Sequence, residues 1–312
     1  MLFRILLLNC FLLICTLWNV LGIVYPQQTR TQQGACDREK TPTLTVGIFQ
    51  CASVFGDKTA NLNQMEATSR KAQALGIELV IFPELYLTGY TDFSLEKVRQ
   101  MAEFSDGPSF VRASSIAQKY NVSLAYGYVE KDENGTMYDS AMLINQTGDR
   151  LLNYRKTHPT DIERYYFAEG SDYAPVVDLN GIKISLLICF DISFPEASRV
   201  LALNNAEFII IGTANGYPAE LNDLSKKVTP TRAGENMVYV AYVNFAQTNG
   251  SIPFYGLSRL CDPTGADVLV AGSSSTELLF ADICPQMFNP NPNPFFKEFR
   301  RPEIDGKICQ IY

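Results

Sequence analysis

Leu186-Leu187-Ile188-Cys189-Phe190-Asp191-Ile192-Ser193-Phe194-Pro195-Glu196 changes character at its fourth residue. The apolar run reads as a buried strand that ends at the cysteine. Beyond it Asp191 or Ser193 is a candidate N-cap, and Pro195 suits the first turn of a helix. The stretch therefore predicts strand, turn and helix, with Cys189 at the strand exit facing a helix N-terminus. Amide N–H groups and the positive end of the helix dipole favour a thiolate there, or an oxyanion formed beside it. A cysteine taken alone is more often an inert buried thiol, so its meaning rests on what the rest of the chain places near it.

Outward from this stretch the pattern alternates strands with helices. In the first half, strands are predicted at Leu44–Phe49, Glu78–Phe82, Ser123–Glu130, Ser140–Asn145 and Leu151–Arg155, with helices near 60–75, closed by Gly76, and 110–120. Asn134-Gly135 marks a hairpin. The second half repeats the order, with strands at Val176–Leu179, Ile182–Cys189, Glu207–Ile211, Val238–Phe245, Leu257–Cys261, Asp267–Val270 and Glu277–Ile283. Its helices are predicted at Pro195–Asn204 and Thr231–Asn236. Two such halves predict two sheets packed face to face with helices outside, an α/β architecture.

Three chemically capable residues each follow an apolar strand. Glu84 comes after Val80-Ile-Phe-Pro, Lys156 after Leu151-Leu-Asn-Tyr-Arg, and Cys189 after Leu186-Leu-Ile. Strand exits are where α/β sheets build ligand clefts, so three exits on neighbouring strands can serve one pocket. A glutamate after proline is otherwise a helix start, and a lysine after arginine a solvated pair.

Phe82-Pro-Glu-Leu-Tyr-Leu-Thr-Gly-Tyr90, Tyr154-Arg-Lys-Thr-His158 and Leu187-Ile-Cys-Phe-Asp-Ile-Ser-Phe-Pro-Glu-Ala-Ser-Arg199 resemble, in order and spacing, the three signature segments of the nitrilase, or carbon–nitrogen hydrolase, superfamily. The resemblance covers roughly residues 44–283, and Arg300-Arg-Pro-Glu303 is similar to a common ending of the family. Within the superfamily the chain is most like the aliphatic amidases. The resemblance implies a four-layer αββα sandwich of two packed mixed sheets flanked by helices. It implies a Glu-Lys-Cys triad in which Cys189 is the nucleophile, Glu84 the general base, and Lys156 with the backbone N–H of Phe190 the oxyanion donors. Glu84 beside Cys189 raises the thiol pKa, and Lys156 opposes that. Glu163-Arg-Tyr-Tyr-Phe-Ala-Glu-Gly170 is similar to the family segment with a second glutamate, which gives Glu163 the role of orienting substrate and Lys156. Tyr90 and Asn215 fall where the family builds its pocket walls, although Asn215-Gly216 is also ordinary turn chemistry. Pro159 departs from the common form, which has an aliphatic residue there.

His158 is the only histidine. A papain-type hydrolase needs a histidine base, but none of that family's pattern surrounds Cys189, so His158 reads as a hydrogen-bonding structural residue. No CxxC pair or His/Cys cluster has metal-ligand spacing, and neither metal nor cofactor is expected. The implied reaction is hydrolysis of a small carboxamide to acid and ammonia through a thioester. Acyl transfer to an amine, nitrile hydrolysis with the same triad, or a silent binding protein on this scaffold remain the alternatives.

The ends of the chain speak to compartment. Met1-Leu-Phe-Arg4 precedes a mostly apolar stretch, so residues 1–24 read as a secretory signal peptide or, alternatively, a membrane anchor over 5–24. Residues 25–42 are a Gln- and Thr-rich lead-in, 43–285 the folded domain, and 286–312 an irregular Asn-Pro tail. Asn121, Asn134, Asn145 and Asn249 head glycosylation triplets, in keeping with an extracellular destination. Cys10 and Cys15 lie in the signal; with Cys189 free and Cys51 on a buried strand, Cys261–Cys284 and Cys36–Cys309 are the preferred of three possible pairings. The chain carries 26 basic and 33 acidic side chains, net −7, and loss of the signal removes Arg4 and leaves −8. No basic cluster tracks a phosphate backbone, which argues against nucleic acid as a partner. The family resemblance implies a homodimer or larger homo-oligomer.

Overall fold

The structure is a computed structural model that describes residues 38–39, 41–90, 93–216, 223–249 and 251–288. The segment read from sequence as a signal peptide, most of the lead-in, the tail beyond Phe288, and with them Cys36 and Cys309, lie outside the described residues.

The first sheet is built from β1 (Leu44–Gln50), β2 (Leu79–Ile81), β3 (Ser123–Lys131), β4 (Met137–Ile144), β5 (Arg150–Arg155) and β14 (Glu277–Ile283), in the order β14-β1-β2-β3-β4-β5. Strands β1, β2 and β3 run parallel, and the outer pairs are antiparallel. The second contains β6 (Val177–Leu179), β7 (Ile182–Ile188), β8 (Phe208–Thr213), β9 (Tyr239–Asn244), β12 (Arg259–Cys261) and β13 (Asp267–Val270), in the order β13-β12-β9-β8-β7-β6, with β7, β8 and β9 parallel. A separate hairpin pairs β10 (Ala246–Asn249) with β11 (Ile252–Tyr255).

Period-two alternation sorts each first-sheet strand between two cores. Val46 and Ile48, Leu79 and Ile81, and Ala141 and Leu143 face the second sheet, where Ile184, Leu186 and Ile210 meet them. Phe49, Val80, Leu124 and Met142 face the other way, onto Leu62 and Met65 of α1 (Lys58–Leu75) and Ala113 and Ile116 of α3 (Pro108–Tyr120). On the far side of the second sheet lie α4 (Pro195–Leu203) and α5 (Thr229–Asn236), which place Ala197, Leu201 and Ala233 in the same core as Leu187. The result is the expected αββα order. Burial of each such leucine or isoleucine contributes roughly 1.5–3 kcal/mol.

The local signals act much as expected. Asp57 caps α1, accepting from the Ala60 N–H at 2.8 Å, and Gly76 closes it at φ +71°. The β3–β4 hairpin turns at Gly135 (φ +81°), with Asp132 Oδ1 accepting from the N–H groups of Asn134 and Thr136. One short helix, α2 (Leu95–Met101), and the β10–β11 hairpin add to the elements expected from the sequence.

Three expectations are corrected. Strands β2 and β5 are not neighbours but are separated by β3 and β4, and β7 belongs to the opposite sheet. The three strand exits converge because the sheets face one another, not because the strands are adjacent. Neither Asp191 nor Ser193 caps α4: its N-cap is Phe194 with no side-chain bond, and Pro195 fills the first position. Lastly, Cys261 is a free, buried thiol, so the Cys261–Cys284 pair does not exist. Cys261 sits on β12 of the second sheet while Cys284 follows β14 of the first.

Candidate active site

Glu84 leaves β2 through Pro83, and its backbone is seated by glycine. A Cβ on Gly127 would stand 2.2 Å from the Leu85 nitrogen and 2.8 Å from the Glu84 carbonyl carbon. Only a residue without a side chain on β3 allows the loop to lie this close. From the other sheet Gly212 approaches the Glu84 nitrogen, where a Cβ would come within 3.0 Å. Leu85 turns the chain at φ +46° and is itself fully buried. Glu84 as a residue is 1% exposed, and its side chain is fully buried.

Lys156 is fully buried at the end of β5, its N–H bonded to the Asp139 carbonyl and its carbonyl accepting from the Gly170 N–H. Its Nζ donates to Glu84 Oε1 at 2.6 Å and to Glu163 Oε1 and Oε2 at 2.9 and 2.8 Å. Asp139 Oδ2 lies 3.4 Å from the same nitrogen. Glu163 opens a short 3-10 turn, Glu163–Tyr165, and accepts further bonds from the Tyr90 hydroxyl (2.7 Å) and the Thr160 N–H (2.7 Å). Tyr90 therefore holds Glu163.

Cys189 sits at the junction of β7 with a 3-10 turn, Cys189–Ser193, at φ +44° and 6% exposed. A non-glycine residue held there costs about 1–3 kcal/mol and persists only where its surroundings enforce it. Asp191 supplies the enforcement. Its carboxylate accepts from the Ile188 N–H (2.9 Å), the Tyr154 hydroxyl (2.8 Å), the Thr157 hydroxyl (3.2 Å) and the His158 N–H (3.0 Å). His158 Nδ1 is 2.9 Å from the same carboxylate, and its ring stacks on Phe194 with centroids 4.0 Å apart. The histidine thus braces the turn, as expected of a structural residue.

Asn215 follows β8, and its Nδ2 lies 3.6 Å from Cys189 Sγ while donating to the Tyr242 hydroxyl at 2.7 Å. Tyr242 in turn shares a 3.0 Å hydrogen bond with Tyr255. Asn244 fixes the loop by accepting from the Asn215 N–H and donating to the Asn215 carbonyl.

The electrostatics follow from burying these groups together. Burial works to lower the Lys156 pKa, but Glu163, Glu84, Cys189 and Asp139 outweigh it and hold the ammonium well above its ordinary value. Burial raises Glu163, yet Lys156 and the donated hydrogen bonds bring it below the usual carboxylate range. Burial raises Glu84 more than Lys156 lowers it. For Cys189, burial and then Glu84 push the thiol well above its ordinary value, with Lys156 opposing. At neutral pH the resting sulfur is a thiol that needs a base.

The chain matches the carbon–nitrogen hydrolase family over residues 45–290. It belongs to that family. This hydrolase is 36% identical to a protein of Pseudomonas protegens described as a hydrolase in the pqqF 5' region, over 84% of this chain and 90% of the relative. It is 32% identical to a citrullinase of Francisella tularensis, over 86% and 99% of the two chains. Among solved structures its fold resembles that of a cysteine-to-alanine mutant of the Nesterenkonia AN1 amidase, with a TM-score of 0.72, 24% identity and coverage of 86% of this chain and 97% of that one.

Of the residues singled out from sequence, Glu84, Lys156, Cys189, Glu163, Tyr90 and Asn215 come together in this site. Asp139, Asp191 and Tyr242 join them without having been singled out as site residues. Asp139 carries a signal: in a period-two strand it falls on the same face as Ala141 and Leu143, where a charge has no place without a partner.

Proposed function

We propose that the hydrolase cleaves a small carboxamide to acid and ammonia through a thioester on Cys189. The observation that carries this reading is one buried Lys156 ammonium bonded to both Glu84 and Glu163, with the Cys189 turn beside them. Glu84 takes the thiol proton as Sγ attacks the amide carbon. Lys156 and the Phe190 N–H stabilise the tetrahedral oxyanion, a contribution of about 3 kcal/mol per donor. Glu84 passes the proton to the nitrogen, ammonia leaves and a thioester remains. A water deprotonated by Glu84 then releases the acid and restores the thiol. Asn215 and Tyr90 line the substrate side, and the Asn215–Tyr242–Tyr255 chain gives the pocket a polar wall.

Ammonia release across a panel of amides tests this, with an acyl adduct on Cys189 seen by mass spectrometry. Cys189→Ala is expected to lose about 10⁵-fold or more, as nucleophile removal does in triad hydrolases. Unchanged release by that variant overturns the mechanism.

We also propose that the protein enters the secretory pathway and leaves the cell. Asn121 and Asn134 are exposed, which supports glycan attachment, whereas Asn145 is engaged by Thr147 and Asp149 within its turn. Expressed in a secreting eukaryotic cell, the protein is expected in the medium, with a mobility shift that endoglycosidase removes and that Asn121→Gln with Asn134→Gln abolishes. Retention in the cytosol without a shift refutes this. Sedimentation of the secreted material is expected to show a homodimer or larger assembly. Ile162 and Tyr165, 70% and 79% exposed beside Glu163, are apolar surface that a second copy would cover.

A further inference from the structure

Around Lys156 the charges do not balance. Glu84, Asp139 and Glu163 present carboxyl oxygens within 4.8 Å of one another and converge on a single ammonium. Glu163 is fully supplied with donors, and Glu84 Oε1 accepts from Lys156. Glu84 Oε2 and both oxygens of Asp139 have no protein donor, although Asp139 is only 1% exposed. Two carboxylates buried side by side repel, and undonated oxygens away from water are costly. One proton between them turns two acceptors into a donor and an acceptor. The cluster's centre is already filled by the Lys156 ammonium, so a cation is not needed to explain it.

We propose that Asp139 is a neutral carboxylic acid in the resting enzyme and donates to Glu84 Oε2, making it a positioning residue for the base. Burial pushes Asp139 well above the carboxylate range, Glu84 adds to this, and Lys156 opposes it only in part. The groups facing Asp139 on β4 are Glu84 from the loop after β2, Lys156 at the end of β5 and Glu163 of the 3-10 turn; Cys189 and Tyr90 bear on the same cluster. The bond holds the Glu84 carboxylate in one plane while Oε1 stays on Lys156. It also sets the proton count. At rest the two carboxyls hold one proton, the thiol proton makes two, and transfer to the leaving nitrogen returns the pair to one.

This deepens the amidase reading, and its test separates the two. Without substrate, the infrared spectrum of the wild-type protein is expected to show a protonated carboxylic C=O stretch that Asp139→Asn removes. With substrate, Asp139→Asn keeps a donor toward Glu84 and is expected to retain kcat/KM at neutral pH within about tenfold, whereas Asp139→Ala loses about a hundredfold. The alkaline limb of the wild-type pH profile, set by loss of the shared proton, is expected to move upward or vanish in Asp139→Asn. Thermal unfolding and labelling of Cys189 establish that each variant is folded, and where Asp139→Ala is not, wild type against Asp139→Asn decides. Absence of the infrared band overturns the proposal: both carboxylates are then ionised, and a water in the ≈ 10 Å³ cavity that Glu84 and Asp139 line supplies the missing bonds. Equal impairment of Asn and Ala variants overturns it too. Failure of the wild type on every amide would remove the amidase reading and leave the infrared result standing.

Discussion

Lys156→Met is expected to lower kcat/KM by about a thousandfold or more, the scale of losing one oxyanion donor, and to destabilise the fold as well. Removing one partner of a buried ion pair costs about 3–5 kcal/mol, and here Glu84 and Glu163 both lose the hydrogen bonds that Lys156 donates. The pH dependence gives the sign. In the wild type Glu163 is held below the usual carboxylate range, so its contribution is present above that range and lost as pH falls through its folded-state pKa. Without Lys156, burial dominates and raises Glu163 instead. Its contribution is then present in acid and lost as pH rises. The drop in melting temperature relative to wild type is therefore expected to be larger at about pH 8 than at about pH 5. An equal drop at both would show that Lys156 acts through packing and not through charge.

Glu84→Gln is expected to separate two properties of Cys189 that usually travel together. Amide turnover falls by about a thousandfold or more, because the proton acceptor is gone. Alkylation of Cys189 by iodoacetamide in the same variant is expected to become faster at neutral pH. Glu84 is, after burial, the strongest influence raising the thiol pKa, and glutamine removes that charge while Lys156 remains to favour the thiolate. Labelling rates read by mass spectrometry beside ammonia release check both halves. Labelling that slows in step with turnover would show that the base, not the field, controls the sulfur.

Much of this site is legible in the sequence because each residue ends an element with its own local signature. The runs before Glu84, Lys156 and Cys189 are apolar strands, and their ends can be read without knowing which strands pair. What cannot be read is pairing between distant segments. The assumption that the three exits lie on neighbouring strands fails because hydrophobic alternation defines faces, not partners, and β7 belongs to the sheet opposite β2 and β5. The matching of Cys261 with Cys284 rests on the same mistaken adjacency. Asp191 has the spacing of an N-cap, but nearer donors, the Ile188 and His158 N–H groups, claim its carboxylate and put it to work bracing the Cys189 turn. Asp139 escapes notice because its role depends on three residues drawn from three other places in the chain.

The pairing of β14 with β1 also orders events in time. Leu44 lies opposite Ile283 and Gln50 opposite Glu277, so among the described residues the first strand is completed by the last. Such long-range closure slows folding, since the intervening chain must be arranged before the contact forms. During synthesis, Glu84, Lys156 and Cys189 have all left the ribosome while one edge of β1 still waits for its neighbour. The growing chain thus carries Glu84, Lys156 and Cys189 before it carries the strand that completes the sheet behind Glu84.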